Sequence, residues 1–247
     1  MNTILSRTYA FAHTKVGRSS FVLASVALIG VSLSNAHKVS SGQIDDITAL
    51  FSGGNSFALF ILGMGMMIFQ ASEYTSGSMP YILMRVPNKN KVAKASLGTS
   101  AVISIGYAVI ANTFVMVVSI AYLSISGTLG ETSYDPFAIL LAILGTTISY
   151  LMVGIIAFAT GDIIQSTAGG VFIYLFIYWV LPLSGALATA INGNVGNALV
   201  QYSVAANIEN LLTVDGIKFA VSALITSAWA VGVSIIGATR FRRYSPK

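Results

Sequence analysis

The ionisable side chains available for chemistry are few: 8 carboxylates and 2 histidines, no cysteine, and 13 Lys and Arg. With no cysteine there is neither a disulfide framework nor a thiolate metal site, and no group of residues reads as a metal centre. The chain has no G-x-x-x-x-G-K-[ST] loop to cradle nucleotide phosphates. Nor does it place a nucleophile with a base, or a pair of aspartates, inside an apolar stretch as an intramembrane protease would need. Glu73 is the carboxylate in the most telling position. It follows directly on an apolar run, where a bare carboxylate is costly unless it is paired or wet.

Glu73 opens the most specific stretch of the chain, Ser72 to Lys94. Physically it reads as a short helix bounded by punctuation: Ser78 can cap the start, Pro80 suits the first turn, and Val86-Pro87 ends it. Lys89, Lys91 and Lys94 then return the chain to the membrane. A second concentration of side chains is the aromatic run Phe172, Tyr174, Phe176, Tyr178 and Trp179 before Pro182. At helical spacing Phe172, Phe176 and Trp179 share one face, Tyr174 and Tyr178 another, and Pro182 favours a kink. Such a row could form an adaptable wall for amphiphilic cargo. It could equally face lipid or fill helix contacts, with Trp179 in an interfacial belt.

The elements that must position these residues are set by composition. Hydrophobic residues make up 55% of the 247 and charged residues 9%, against roughly 25% charged in a soluble domain. Too few charges remain to solvate a soluble fold, and a bilayer removes that requirement. Uncharged stretches recur at Phe21–Leu33 (extending toward Ala36), Ser56–Ala71, Leu97–Ile125, Pro136–Thr160, Ala168–Ala190 and Phe219–Thr239. Each approaches or exceeds the roughly 20 residues that cross a bilayer as a helix. Strand-type alternation is absent, which disfavours a barrel. The expectation is an all-α polytopic membrane protein: one transmembrane domain, 1–247, of six helices. A cleaved leader ending at Ser34-Asn35-Ala36 is the alternative for the first stretch.

Charge placement orients the bundle. Of the 13 basic residues, all but Lys38 and Lys218 fall in segment 1–18, in loop 72–96 or in the tail from Arg240 to Lys247. The positive-inside rule puts those regions, and hence both termini, in the cytoplasm. Asp45, Asp46, Glu131, Asp135, Glu209 and Asp215 fall outside. No Asp, Glu, Lys, Arg or His lies in the middle of a span, which disfavours proton-coupled carriers, ion pumps and charge-selective channels.

Segment 2–18 reads as an interfacial helix. Leu5, Tyr9, Ala12 and Val16 share a face, with Arg7, Thr14 and Arg18 opposite, directed at anionic lipid or a partner. Phe11 falls on the basic side. A plain topogenic flank is the alternative. Loop 192–216 alternates turn signals with Leu199, Tyr202, Leu211 and Leu212, too apolar for an ordinary surface loop. Asn112 reads as an interhelical hydrogen bond, and Gly63, Gly65, Gly154, Gly185 and Gly232 as sites of close helix packing.

The 72–94 stretch resembles the first cytoplasmic loop of ABC-2 permeases, the membrane subunits of ATP-binding-cassette exporters. The matching order is Glu73, Gly77, Ser78, Leu83, Pro87 and Lys94. The six spans, the cytoplasmic termini, the amphipathic entry segment and the bulky last outer loop agree with that class over the whole chain. The match is loose at Asn88-Lys89-Asn90, where the family often has Ser-Arg, and Pro80 falls early. The resemblance implies that the short helix is a coupling helix docking in a groove of the ATPase subunit. Tyr81, Leu83 and Met84 would be its apolar contacts, and Glu73 with Arg85 the charged relay. It further implies short helices in 192–216 that dip into the outer leaflet, and a pathway bordered by the first, second and fifth spans.

The implied partners are an ABC ATPase, a second permease copy or a similar permease, and membrane lipid, with no nucleic acid. No cofactor would bind this chain; ATP and Mg would sit in the ATPase, so the chain is not an enzyme by itself. The implied function is export of an amphiphilic peptide, antibiotic or lipid-like molecule across a bacterial cytoplasmic membrane, including bacteriocin or lantibiotic export or immunity. A passive or ion-coupled transporter and a non-transporting scaffold or assembly factor are the rival readings.

Overall fold

A computed structural model describes residues 3–43, 49–128, 135–212 and 216–245. Asp45, Asp46, Glu131, Asp215 and Lys247, which enter the charge argument, lie outside the described residues. The described chain is helical throughout, and six of its helices are long and apolar enough to cross a membrane. In order they are α1 (Thr3–His13), α2 (Lys15–Ser40), α3 (Ala49–Thr75), α4 (Ser78–Arg85), α5 (Lys89–Ser126) and α6 (Pro136–Ile164). There follow α7 (Thr167–Leu175), a five-residue π turn (Phe176–Val180), α8 (Leu181–Ala188), α9 (Gly193–Gln201), α10 (Val204–Leu212) and α11 (Gly216–Arg242). Helices α2, α3, α5, α6, α7–α8 together, and α11 are the six spans, so the chain is an all-α multi-pass membrane protein.

Local chemistry sets the boundaries. The side chains of Thr14, Asn88 and Asp135 accept the first free amides of α2, α5 and α6, and Pro136 occupies the first turn of α6, where its missing N–H costs nothing. Gly127 ends α5 in the left-handed conformation at φ 75°. Helix α5 has 38 residues, roughly 57 Å at 1.5 Å per residue. It is therefore longer than a hydrocarbon core of about 30 Å requires.

Helix α3 is the centre of the bundle, packed by α2, α6 and α7. Large apolar side chains point outward instead of inward along the peripheral helices, among them Val22 and Val26 on α2, Val109 and Val117 on α5, and Leu224 and Ile235 on α11. A contiguous apolar exterior of this kind is what lipid, not water, solvates. Close approach depends on missing Cβ atoms. A methyl at Gly63 would strike the Tyr174 hydroxyl, and one at Gly154 the Ser104 hydroxyl. Gly65 and Gly185 are likewise crowded, but Gly232 faces open space among the described residues. Asn112 also departs from expectation: its buried Oδ1 has no hydrogen-bond partner among the described residues.

The first span begins at Lys15, earlier than the apolar run, and continues to Ser40, so Ser34-Asn35-Ala36 lies within a helix with Ala36 fully buried. The apolar segment after the fifth span forms α9 and α10. Helix α10 turns Val204, Ile208, Leu211 and Leu212 inward against α3, α6 and α11, which explains its composition.

Candidate functional site

Every side chain of the site lies at the bundle end that carries the termini, where α3, α5, α6 and α11 meet under α4. Helix α4 follows α3 after a turn at Gly77, whose φ of 71° suits a residue without Cβ. Gly77 is the N-cap, correcting the expectation for Ser78. Ser78 is the first helical residue, and its hydroxyl donates back to the Glu73 carbonyl at 3.1 Å.

Helix α4 is two-faced. Met79, Ile82, Leu83 and Val86, at i, i+3, i+4 and i+7, pack with Tyr74, Val92, Phe241 and Tyr244. Tyr81, Met84 and Arg85 form the opposite face and are exposed, the first two at 67% and 68%. Leu83, which the resemblance places among the docking contacts, is half-buried on the packed face. The tail is clamped alongside: the Lys89 ammonium donates to the carbonyls of Arg242 at 3.0 Å and Tyr244 at 2.5 Å.

Beneath α4 runs a buried polar network that the sequence reading did not assemble. Arg7 of α1 forms an ion pair with Glu73 and donates to the Ser96 hydroxyl and, at 2.6 Å, to Gln70 Oε1. The Gln70 amide donates to Asp162 Oδ1 at 2.5 Å, and the Tyr74 hydroxyl donates to the same oxygen at 2.6 Å. One cation and two carboxylates thus tie α1, α3, α5 and α6 together. Both carboxylates sit in last turns, where the helix dipole disfavours negative charge; Arg7, Gln70 and Tyr74 supply the compensation.

Two expectations are corrected here. Glu73, expected to reach toward a docked partner, is instead buried and paired with Arg7, while Arg85 faces outward. The basic face of α1 also does not lie wholly on lipid: Arg7 and Phe11 are buried, while Leu5 and Tyr9 are exposed. Phe11 falls on the Arg7 side because it packs edge-on against Phe21 and Phe69, at centroid distances of 5.6 and 5.3 Å. Gln70, Glu73 and Tyr74 at i, i+3 and i+4 were legible as one helical stripe. Arg7, Ser96 and Asp162 are brought to it only by the fold.

The aromatic run lies in the fifth span. Tyr174 and Tyr178 are buried against Phe60, with centroids at 5.8 and 5.2 Å. Phe172, Phe176 and Trp179 share the outward face. The break expected at Pro182 takes the form of the π turn, in which the Leu181 amide reaches back five residues to the Phe176 carbonyl. Toward the other end of the bundle a cleft of about 340 Å³ lies among Phe57, Trp179, Pro182, Leu183 and Ile208, with Glu209 at its margin. Trp179 lines this cleft; Phe172 and Phe176 do not.

Geometry thus defines a multi-pass helical membrane protein whose terminal-end surface is built on a polar junction. No protein-family model and no curated protein matches the chain.

Proposed function

We propose that the chain is the membrane-spanning subunit of an ATP-driven exporter of the ABC-2 permease class, working as a pair of permeases with an ATPase subunit in a bacterial cytoplasmic membrane. The observation that carries the reading is α4: a short helix between the second and third spans, anchored on one face and presenting Tyr81, Met84 and Arg85 on the other. A helix needed only to return the chain to the membrane has no reason to expose a Tyr and a Met beside an Arg. Aromatic, Met and Arg side chains are the ones enriched at protein interfaces. A force on α4 reaches Tyr74 through Met79 and continues to Asp162 and Arg7 through hydrogen bonds, giving a docked ATPase a rigid route to α6 and α1. The cargo is an amphiphilic peptide, antibiotic or lipid-like molecule, for which the exposed rings of the fifth span and the apolar cleft are suitable surfaces.

Affinity purification of the tagged chain from its native membrane tests this. An ABC ATPase should co-purify and lose its association in Arg85→Glu, while the amount of inserted chain stays the same. Purification without any ATPase, with transport intact in that variant, would sink the proposal. The buried Arg7, Glu73 and Asp162 favour ion coupling as the second reading. Glu73 and Asp162 lie in the last turns of the second and fourth spans and Arg7 in α1 beside them, linked to one another as a latch requires and not at mid-depth on a pathway.

A further inference from the structure

A pocket of about 470 Å³ opens between the tail of α11, the start of α4 and the turn after α6, apart from the outward face of α4 and from the cleft near Trp179. Its wall includes Tyr74, Pro80, Gln165, Arg240, Arg243 and Tyr244. Three features of the wall point to the same ligand chemistry.

The first is uncompensated positive charge. Two guanidinium groups border one cavity, and neither has a carboxylate partner among the described residues. Asp162, the nearby carboxylate of α6, is instead taken up by Gln70 and Tyr74. The second is a stranded donor. Gln165 Nε2 is buried and has no hydrogen-bond partner among the described residues, a state that is costly unless something arrives to accept from it. The third is the backbone that holds this amide in place. Gln165 has a φ of 55°, the one positive value at a non-glycine residue among those described. A Gly here would end α6 with less strain, so the Gln side chain stands in this conformation at a local cost, a pattern that clusters at functional positions.

We propose that this pocket is a binding site for a phosphate group, held by Arg240, Arg243 and the Gln165 amide. Guanidinium forks match phosphate oxygens, and an amide N–H completes the donor set without adding charge. The cavity is of ligand size and has apolar walls at Pro80 and Tyr244, so it accommodates a phosphate with an organic substituent. Arg240 belongs to the last turn of the sixth span, which places the site at headgroup height. Basic pockets between helices at that level bind phospholipid headgroups. The phosphate comes either from a lipid headgroup or from a water-soluble phosphate. A bound phosphate would bridge the tail to the turn after α6, adding a ligand-dependent clamp beside the one made by Lys89.

The test uses the full chain in a neutral detergent, with melting temperature as readout, because a ligand that binds the folded state alone raises it with concentration. The probes are dihexanoylphosphatidylglycerol, dihexanoylphosphatidylcholine and inorganic phosphate. Dihexanoylphosphatidylglycerol should stabilise the protein saturably. Arg240→Gln/Arg243→Gln should weaken the apparent affinity at least tenfold, because each arginine contributes a charge-assisted hydrogen bond. Arg242→Gln, which removes a positive charge from the same tail outside the pocket wall, should leave the affinity within twofold. Gln165→Gly should give a protein at least as stable without ligand but with weakened binding, an outcome that a merely structural Gln165 cannot produce. Stabilisation by inorganic phosphate alone assigns a soluble ligand. Stabilisation by the anionic lipid but not by inorganic phosphate assigns a headgroup. Equal loss in Arg242→Gln and the double variant overturns the site and leaves only a generally basic surface; a response to phosphatidylcholine and phosphatidylglycerol that is equal and unchanged in Arg240→Gln/Arg243→Gln comes from the acyl chains and overturns it too.

Discussion

Replacing Arg7 by Met should destabilise the protein well beyond the loss of one surface charge. The side chains of Arg7 and Glu73 are 6% and 11% exposed, so little water can take the place of either partner. Without the guanidinium, Glu73 loses its ion-pair partner and Gln70 Oε1 loses a donor. Ser96 is not orphaned, because its hydroxyl also reaches the Val92 carbonyl at 3.2 Å. Removing one member of a buried pair costs about 3–5 kcal/mol. The junction lies near the membrane surface, so the lower end applies, about 3 kcal/mol, or a fall of about 6–12 °C in Tm for a chain of this length. Glu73→Gln keeps an oxygen toward Arg7 and should cost less, about 1–2 kcal/mol. In Arg7→Met/Glu73→Gln no buried charge is left unpaired at this position, so the double variant should be more stable than Arg7→Met alone. Melting the four proteins in one detergent at one scan rate gives the cycle directly. Effects that simply add, within about 0.5 kcal/mol, would refute the argument that α1 is latched to α3 by this pair.

The two faces of α4 should separate cleanly. Tyr81→Ala or Met84→Ala should leave stability within about 0.5 kcal/mol yet weaken capture of the ATPase at least tenfold, whereas Leu83→Ala should cost about 1–2 kcal/mol with ATPase affinity reduced only through that loss. Pull-down and thermal melting of the same preparations distinguish them, and the reverse assignment overturns the packing of α4. In the fifth span, Phe172→Ala and Phe176→Ala should shift cargo preference more than basal ATP hydrolysis, because both rings are exposed. Tyr174→Ala should instead cost about 3 kcal/mol or more, since its ring is buried against Phe60. Equal loss of every activity in the Phe variants, with lowered Tm, would place those rings in packing. A reporter active only outside the cell should be silent after Lys247 and active at Glu131; activity at the tail would invert the orientation read from the basic residues.

Residue types and their order along the chain determined the membrane class, the number of spans and the existence of α4. Each is a local property: an apolar run long enough for hydrocarbon, a Gly turn followed by a Pro in the first turn, a cluster of Lys where the chain leaves the lipid. The two helices of the outer loop were legible in part, because apolar residues between turn signals must be covered by something. The amphipathic pattern of α1 was visible too, but not the sense in which its polar face would be used. Its Arg7 could have faced lipid phosphates; the fold sends it inward to a carboxylate 66 positions away. Gln70 and Tyr74 were in plain view on the Glu73 stripe, yet they acquire a role only when α6 brings Asp162 to them. Likewise a run of five rings and a proline did not say which rings would be buried, because the π turn alters the register between one helical turn and the next. Helical periodicity constrains neighbours three or four residues apart. Which faces meet across the bundle depends on where backbones can approach, as at Gly63 and Gly154, and that is decided only when all the helices pack together.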